Sequence, residues 1–88
     1  MPQVGPLPPL PLQQHSFVGS SNLEYGTYDQ NTQTLYIQFQ GGAAYAYSGV
    51  PPYVWNGLIT APSAGKYFHA TIKNGRYSYQ RVTPGSWQ

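Results

Sequence analysis

Cationic and aromatic side chains are interleaved near the end of the sequence. Five cationic or titratable residues and two tyrosines fall within sixteen positions: Lys66, His69, Lys73, Arg76 and Arg81, with Tyr77 and Tyr79. Cations pair with phosphates, and tyrosine rings give unpaired bases a surface to stack on, each stacked base contributing about 1–3 kcal/mol. The pattern is typical of a protein that binds single-stranded RNA or a nucleotide.

The total charge favours a second interpretation, in which the partner is protein. The chain has 88 residues, four Lys or Arg, two acids and a net charge of +2, which is a small electrostatic footprint for a nucleic-acid protein. Tyr and Trp are enriched at protein interfaces, whereas Lys, Glu and Asp are depleted there. With nine Tyr and two Trp, the composition favours a protein-binding subunit, and RNA binding stays open as the alternative.

Catalysis needs groups that this sequence scarcely offers. A hydrolase requires a nucleophile, a base and an orienting group within hydrogen-bond reach. The candidates are His15, His69, Glu24 and Asp29, without a His-x-x-x-His motif or a carboxylate pair, and cysteine is absent. We therefore expect no enzymatic activity, no metal site and no cofactor.

The first fourteen residues differ in composition from the rest. Five prolines lie among three leucines, Leu7, Leu10 and Leu12, without any charged or aromatic residue. Such a segment favours the polyproline II conformation, and we expect residues 1–14 to be an extended arm whose leucines dock on a neighbouring protein. No basic residue flanks its PxxP patterns, so an SH3 ligand is not expected.

The remainder predicts an α+β domain over residues 15–83, followed by a tail at 84–88. Period-two alternation indicates strands at 22–27, 35–39, 43–47 and 77–82, with a hairpin at Gly41-Gly42. Helical spacing and the prolines indicate short helices at 52–61 and 63–74. The expected fold is a small antiparallel sheet of about four strands that carries two helices. The helical spacing also places Lys66, His69 and Lys73 on one exposed face.

Two further features predict contact surfaces for a partner. Tyr45 and Tyr47 are two residues apart on a strand and therefore point to the same face. Trp87 lies in the short tail, at a place that a core does not easily reach, so we expect it to anchor a neighbouring chain. No apolar run approaches the roughly 20 residues that cross a bilayer, so a membrane partner is not expected.

From about Val18 to Val82 the chain resembles the KTSC domain, a small family found at the C-terminus of some lysyl-tRNA synthetases and alone in bacterial and phage proteins. The matching segments are Ser20-Ser21-Asn22-Leu23, Gly26-Thr27-Tyr28-Asp29, 35–39, Tyr45-Ala46-Tyr47, Ser48-Gly49-Val50-Pro51, 61–68 and 77–82. The resemblance implies the fold and brings no catalytic residue. RNA binding has been associated with such domains through the synthetases.

These observations together predict a non-enzymatic structural subunit, an adaptor or cementing protein of a phage virion, with the bacterial cytoplasm as the other setting. Its partners would be protein subunits of a larger assembly, a homo-oligomer included. Leu7, Leu10, Leu12, Trp87, Tyr45 and Tyr47 would make the contacts. The alternative is an RNA or nucleotide module that uses the Lys/Arg/Tyr segment.

Overall fold

The computed structural model describes residues 10–75 and 77–87. Within them five strands form one antiparallel sheet in the order of the chain. The strands are β1 (Gln13–Ser16), β2 (Leu23–Asp29), β3 (Thr34–Phe39), β4 (Ala44–Tyr47) and β5 (Tyr79–Val82). Helix α1 (Pro52–Thr60) and helix α2 (Ala64–Tyr67) lie between β4 and β5, and α2 continues into a π-helical segment, Phe68–Lys73. The α+β class with two helices is confirmed, and the sheet has one strand more than expected.

The additional strand is β1, which begins inside the segment predicted to be an extended arm. Gln13 and Gln14 pair with Tyr28 and Thr27 of β2. The chain is already held three residues earlier, since the Leu10 amide donates to Oδ1 of Asn31 at 2.9 Å and Nδ2 of Asn31 donates to the Leu10 carbonyl at 2.8 Å. The sequence conceals β1 because an edge strand of polar residues shows no alternation of apolar and polar positions. Residues 1–9, Leu7 among them, lie outside the described residues.

One face of the sheet, which we call the inner face, packs against the helices and forms the core. Leu35 and Ile37 of β3 alternate onto this face and are fully buried, as the period of two predicts. Trp55 of α1 stacks on Tyr28 of β2, with ring centroids 5.7 Å apart. Gly26 permits this contact, because a Cβ there would come within 3.1–3.2 Å of Phe17, Ile37 and Trp55.

Both helices begin where the sequence predicts, and the second changes its winding partway. Pro52 occupies the first turn of α1, where its missing N–H costs nothing. The Ser63 hydroxyl accepts a hydrogen bond from the Lys66 amide at 3.4 Å and caps α2. The π-helical segment keeps Phe68 and Ile72 buried, and it ends near Gly75, where a Cβ would clash with the Thr71 carbonyl oxygen. Among the described residues no helix is long and apolar enough to cross a membrane.

Candidate functional site

A groove of about 800 Å³ separates the loop after β1 from the start of α2. Its walls carry three cationic or titratable side chains, His15, Lys66 and His69. The two acids of the chain, Glu24 and Asp29, both lie in described residues, and neither lines the groove. The cavity therefore offers positive charge with no carboxylate to compete for it.

The loop after β1 forms one wall of the groove, which we call the loop wall, and a serine turn gives it its shape. The Ser20 hydroxyl accepts hydrogen bonds from the amides of Asn22 at 3.3 Å and Leu23 at 3.0 Å. Gly19 precedes it with a φ of +86°, a conformation that glycine adopts without strain. Across the groove, a Cβ on Gly65 would lie 3.7 Å from Nδ2 of Asn22. The two walls thus approach each other closely at Gly65.

A second groove of about 400 Å³ shares Asn22, Gly65 and His69 with the first and extends it towards β3. It adds Lys73 and the aromatic rings of Phe39 and Phe68. Lys66, His69 and Lys73 are all exposed, so the three side chains expected on one helix face line the same pair of connected grooves.

Aromatic contacts continue from the second groove to the edge of the sheet. Phe39 meets Tyr45 edge to face at 5.9 Å, and Tyr45 meets Tyr79 of β5 at 6.0 Å. Tyr79 is 67% exposed, and Arg81 is the cross-strand partner of Tyr45. We call Lys66, His69, Lys73, Tyr79 and Arg81 the basic track, because these side chains follow one another along the helix side of the molecule.

The structure corrects the predicted tyrosine docking surface. Tyr45 and Tyr47 do share a face, but it is the inner face. Tyr47 is 7% exposed and lies between Phe68 at 5.6 Å and Tyr79 at 5.7 Å. Burial, with smaller effects of Tyr45 and Tyr79, raises the pKa of Tyr47 to about 12. Tyr47 is a core residue, and only the half-buried Tyr45 retains a surface.

Trp87 also differs from the expectation of a free anchor. Its indole stacks on Tyr36 of β3 in the same chain, with ring centroids 4.8 Å apart. The turn that precedes Trp87 brings the indole back onto the sheet, and the sequence alone does not indicate this. Trp87 is therefore committed to its own sheet, and a partner would have to displace it.

The remaining predicted residues lie in different surroundings. Tyr77 is half-buried against the core, and burial raises its pKa, with smaller effects of Tyr53 and Tyr67. Leu10 and Leu12 are 49% and 37% exposed. Arg76 lies outside the described residues.

Sequence reasoning missed the loop wall and the place of His15. The signal was present as Ser20 followed three residues later by the first residue of β2, which is the spacing of a serine turn. What the sequence does not reveal is that the loop faces α2, because that approach depends on how the helices fold back over the sheet. Among the described ranges no group of three or more His, Asp or Glu could hold a metal ion.

Comparison with known proteins gives the family. The sequence profile of the KTSC domain matches residues 19–79. The chain belongs to the KTSC domain family. A crystal structure of a KTSC domain protein from Yersinia pestis matches with a TM-score of 0.72 and 32% identity, over 82% of this chain and 99% of that one.

Two relatives show the settings in which the domain occurs. A protein of Stutzerimonas stutzeri is 40% identical over 63 residues, which are 72% of this chain and 89% of that protein. A lysine–tRNA ligase of Nostoc punctiforme is 42% identical over 57 residues, 65% of this chain but only 10% of the ligase. The chain thus spans about a tenth of the ligase, and nearly all of the Stutzerimonas protein.

Proposed function

We propose that this KTSC domain is a non-enzymatic module that binds single-stranded RNA along the basic track. The observation that carries the proposal is the pair of connected grooves lined by Lys66, His69 and Lys73 and by neither acid of the chain. The protein has four Lys and Arg residues. Two of them line these connected grooves, and Arg81 lies at the end of the path of aromatic contacts that starts there. Phosphates would lie in the grooves.

The exposed ring of Tyr79 supplies the second element that such a ligand requires. It lies at the end of the aromatic path, beside Arg81, where a base leaving the groove could stack. The small share of the ligase that matches this chain supports a binding role, because a region of this size is an appendage to a much larger enzyme. The ligase's name concerns a tRNA, which makes RNA the first ligand to test.

The number of cations sets the expected strength and salt dependence. Two or three neutralised phosphates on a single strand give a slope of log K against log salt of about −1.4 to −2. We expect weak binding that falls severalfold between low and physiological salt. The test is a fluorescence-anisotropy titration with a labelled single-stranded RNA at two salt concentrations. The RNA has about twelve nucleotides, a length near the upper part of the usual site size of single-strand binders.

A matched pair of variants separates the groove from general charge. Lys66→Gln with Lys73→Gln removes two positive charges, and we expect RNA affinity to fall at least tenfold and the salt slope to shrink by about 1.4. Gln14→Glu with Thr32→Glu changes the net charge equally at exposed positions outside the grooves and should cost less than about threefold. Equal losses of RNA affinity in the two double variants, or no RNA binding by the parent chain, would rule the proposal out.

A structural adaptor role is the second candidate, favoured by Leu10 and Leu12, which stay exposed beside the edge strand β1. Its setting would be a phage particle or a bacterial assembly, with protein partners. The test is Leu10→Ser with Leu12→Ser, which leaves Gln13 in place, because Gln13 accepts a hydrogen bond from Trp55 at 3.0 Å. Loss of self-association or partner binding that does not respond to salt would favour the adaptor role; unchanged association would exclude these leucines as anchors.

A further inference from the structure

The outer face of the sheet, opposite the helices, is covered by the last residues that the structure describes. After β5 a turn closes with a hydrogen bond from the Ser86 amide to the Thr83 carbonyl at 3.0 Å. Gly85 has a φ of +80°, which permits the chain to reverse. Trp87 then lies on the outer face, where its ring stacks on Tyr36 with an interplanar angle of 18°.

The strand order explains how the indole reaches Tyr36. Strand β4 lies between β5 and β3, so the ring must pass over the outer face of β4. The outer-face residues there are Ala44 and Ala46, the cross-strand partners of Gln38 and Tyr36. Because alanine side chains are short, the indole can lie over β4 beside the Tyr36 ring. We call the place that the indole occupies, beside Tyr36, Ala44 and Ala46, the recess.

The recess holds polar atoms that Trp87 does not satisfy. Oγ1 of Thr27, Oε1 of Gln38 and Nε1 of Trp87 are each buried and have no hydrogen-bond partner among the described residues. Thr27 is 0% exposed and is the cross-strand partner of Tyr36. Such atoms are rare, because a buried polar group without a hydrogen-bond partner destabilises the folded state.

The orientation of the Gln38 amide is fixed by its other end. Its Nε2 donates to Oε1 of Glu24 at 2.8 Å, and a carboxylate can only accept. Oε1 of Gln38 is therefore the atom left without a donor. Thr27 and Gln38 are diagonal neighbours on the same face of an antiparallel pair, a separation of about 7–8 Å between backbone positions. Two hydrogen-bond acceptors thus flank one stacking surface.

We propose that this recess is a binding site for a guanine base and that Trp87 is its resident occupant. An indole has a single N–H donor, which here reaches neither acceptor. A guanine edge carries two adjacent donors, N1–H and the N2 amino group, which can serve Thr27 and Gln38 while the ring stacks on Tyr36. The base would displace Trp87, and the site lies on the opposite face from the basic track, so it does not depend on RNA binding there.

The test compares the intact chain with Trp87→Ala by amide NMR titration with GMP. We expect Trp87→Ala to bind GMP at least threefold more tightly than the intact chain, with the largest shifts at Thr27, Tyr36 and Gln38. CMP should bind at least fivefold more weakly, and Tyr36→Ala added to Trp87→Ala should abolish the shifts. Ribose 5-phosphate is the control for the phosphate, and shifts confined to Lys66 and Lys73 would belong to the groove and overturn the assignment.

Two further arms make the result decisive. If Trp87→Ala does not fold, the intact chain is titrated, and GMP must move the Trp87 Nε1–H resonance towards that of an exposed indole. A guanine-containing tetranucleotide tests whether the ligand is a guanine within RNA or a free guanine nucleotide. The two are compared at equal concentration, and the one that binds more tightly is the ligand. Equal binding of GMP and CMP, or no shift at Thr27 and Gln38, overturns the proposal.

Discussion

The two tryptophans stack on tyrosines of the same sheet from opposite sides, and only one of them is integral to the fold. Trp55 on the inner face is 1% exposed, stacks on Tyr28, and donates its Nε1–H to Gln13 at 3.0 Å. Trp87 on the outer face is half-buried and stacks on Tyr36, and its Nε1 has no partner in the described chain.

The difference shows that stacking alone does not make an aromatic residue part of a core. Trp55 has its apolar surface buried and its polar atom paired, so every part of the side chain contributes to stability. Trp87 gains the stacking contact, worth about 0.5–1.5 kcal/mol beyond the burial of its apolar area, but its unpaired nitrogen offsets about 1–3 kcal/mol of that gain. A residue in this balance can be replaced by a ligand, whereas Trp55 cannot.

The largest expected effect is on the inner face. Trp55→Ala should lower the free energy of unfolding by about 3–5 kcal/mol, because it opens a cavity beneath α1 and removes the partner of Gln13. Urea denaturation followed by circular dichroism measures the loss. If the variant does not fold, Trp55→Phe should show a smaller loss of the same sign; a change below about 1 kcal/mol in Trp55→Ala would erase the distinction between the two sides.

A second prediction concerns alkaline pH and the tyrosines of the inner face. The pKa of Tyr47 is raised to about 12 in the folded chain, so the folded state keeps a proton that the unfolded state releases near pH 10. Stability should therefore be unaffected below pH 10 and fall as the pH rises from 10 to 12, by roughly 2–3 kcal/mol. Burial also raises the pKa of Tyr28, with Asp29 adding to the effect, which acts in the same direction.

Matched phenylalanine variants test which face of the sheet causes the loss of stability at alkaline pH. Tyr47→Phe should flatten the fall in stability between pH 10 and 12 when urea midpoints are compared across pH. Tyr36→Phe on the outer face should leave the fall as large as in the parent. If Tyr36→Phe flattened the profile and Tyr47→Phe did not, the inner face would not be the source of the effect.

The smallest effect is expected on the outer face. Trp87→Ala should reduce the free energy of unfolding by no more than about 2 kcal/mol, because the lost stacking and apolar burial are partly offset by removal of an unpaired buried N–H. The same urea titration, run beside Trp55→Ala, gives the comparison directly. A loss similar to that of Trp55→Ala would mean that Trp87 is a structural residue and would argue against a displaceable occupant.

Much of the fold could be predicted because the signals are local. Leu35, Ile37 and Phe39 alternate with polar residues and do form β3, the prolines at 51 and 52 do begin α1, and Ser63 does cap α2. Strand β1 was not predicted, because it has no apolar pattern of its own and is a strand through its pairing with β2. The family resemblance is confirmed, whereas the roles assigned to Tyr47 and Trp87 required knowledge of which face each would meet.

The sequence by itself determined the class of the fold, the places of most strands and helices, and the grouping of Lys66, His69 and Lys73 on one exposed face, since periodicity and capping act over a few residues. Only the tertiary structure decided that the loop after β1 faces those cations, that Tyr47 is buried, and that Trp87 folds back across Ala44 and Ala46 onto Tyr36. Those outcomes depend on contacts between segments far apart in the chain, and the energy of such contacts is fixed by the shape and polarity of both partners at once.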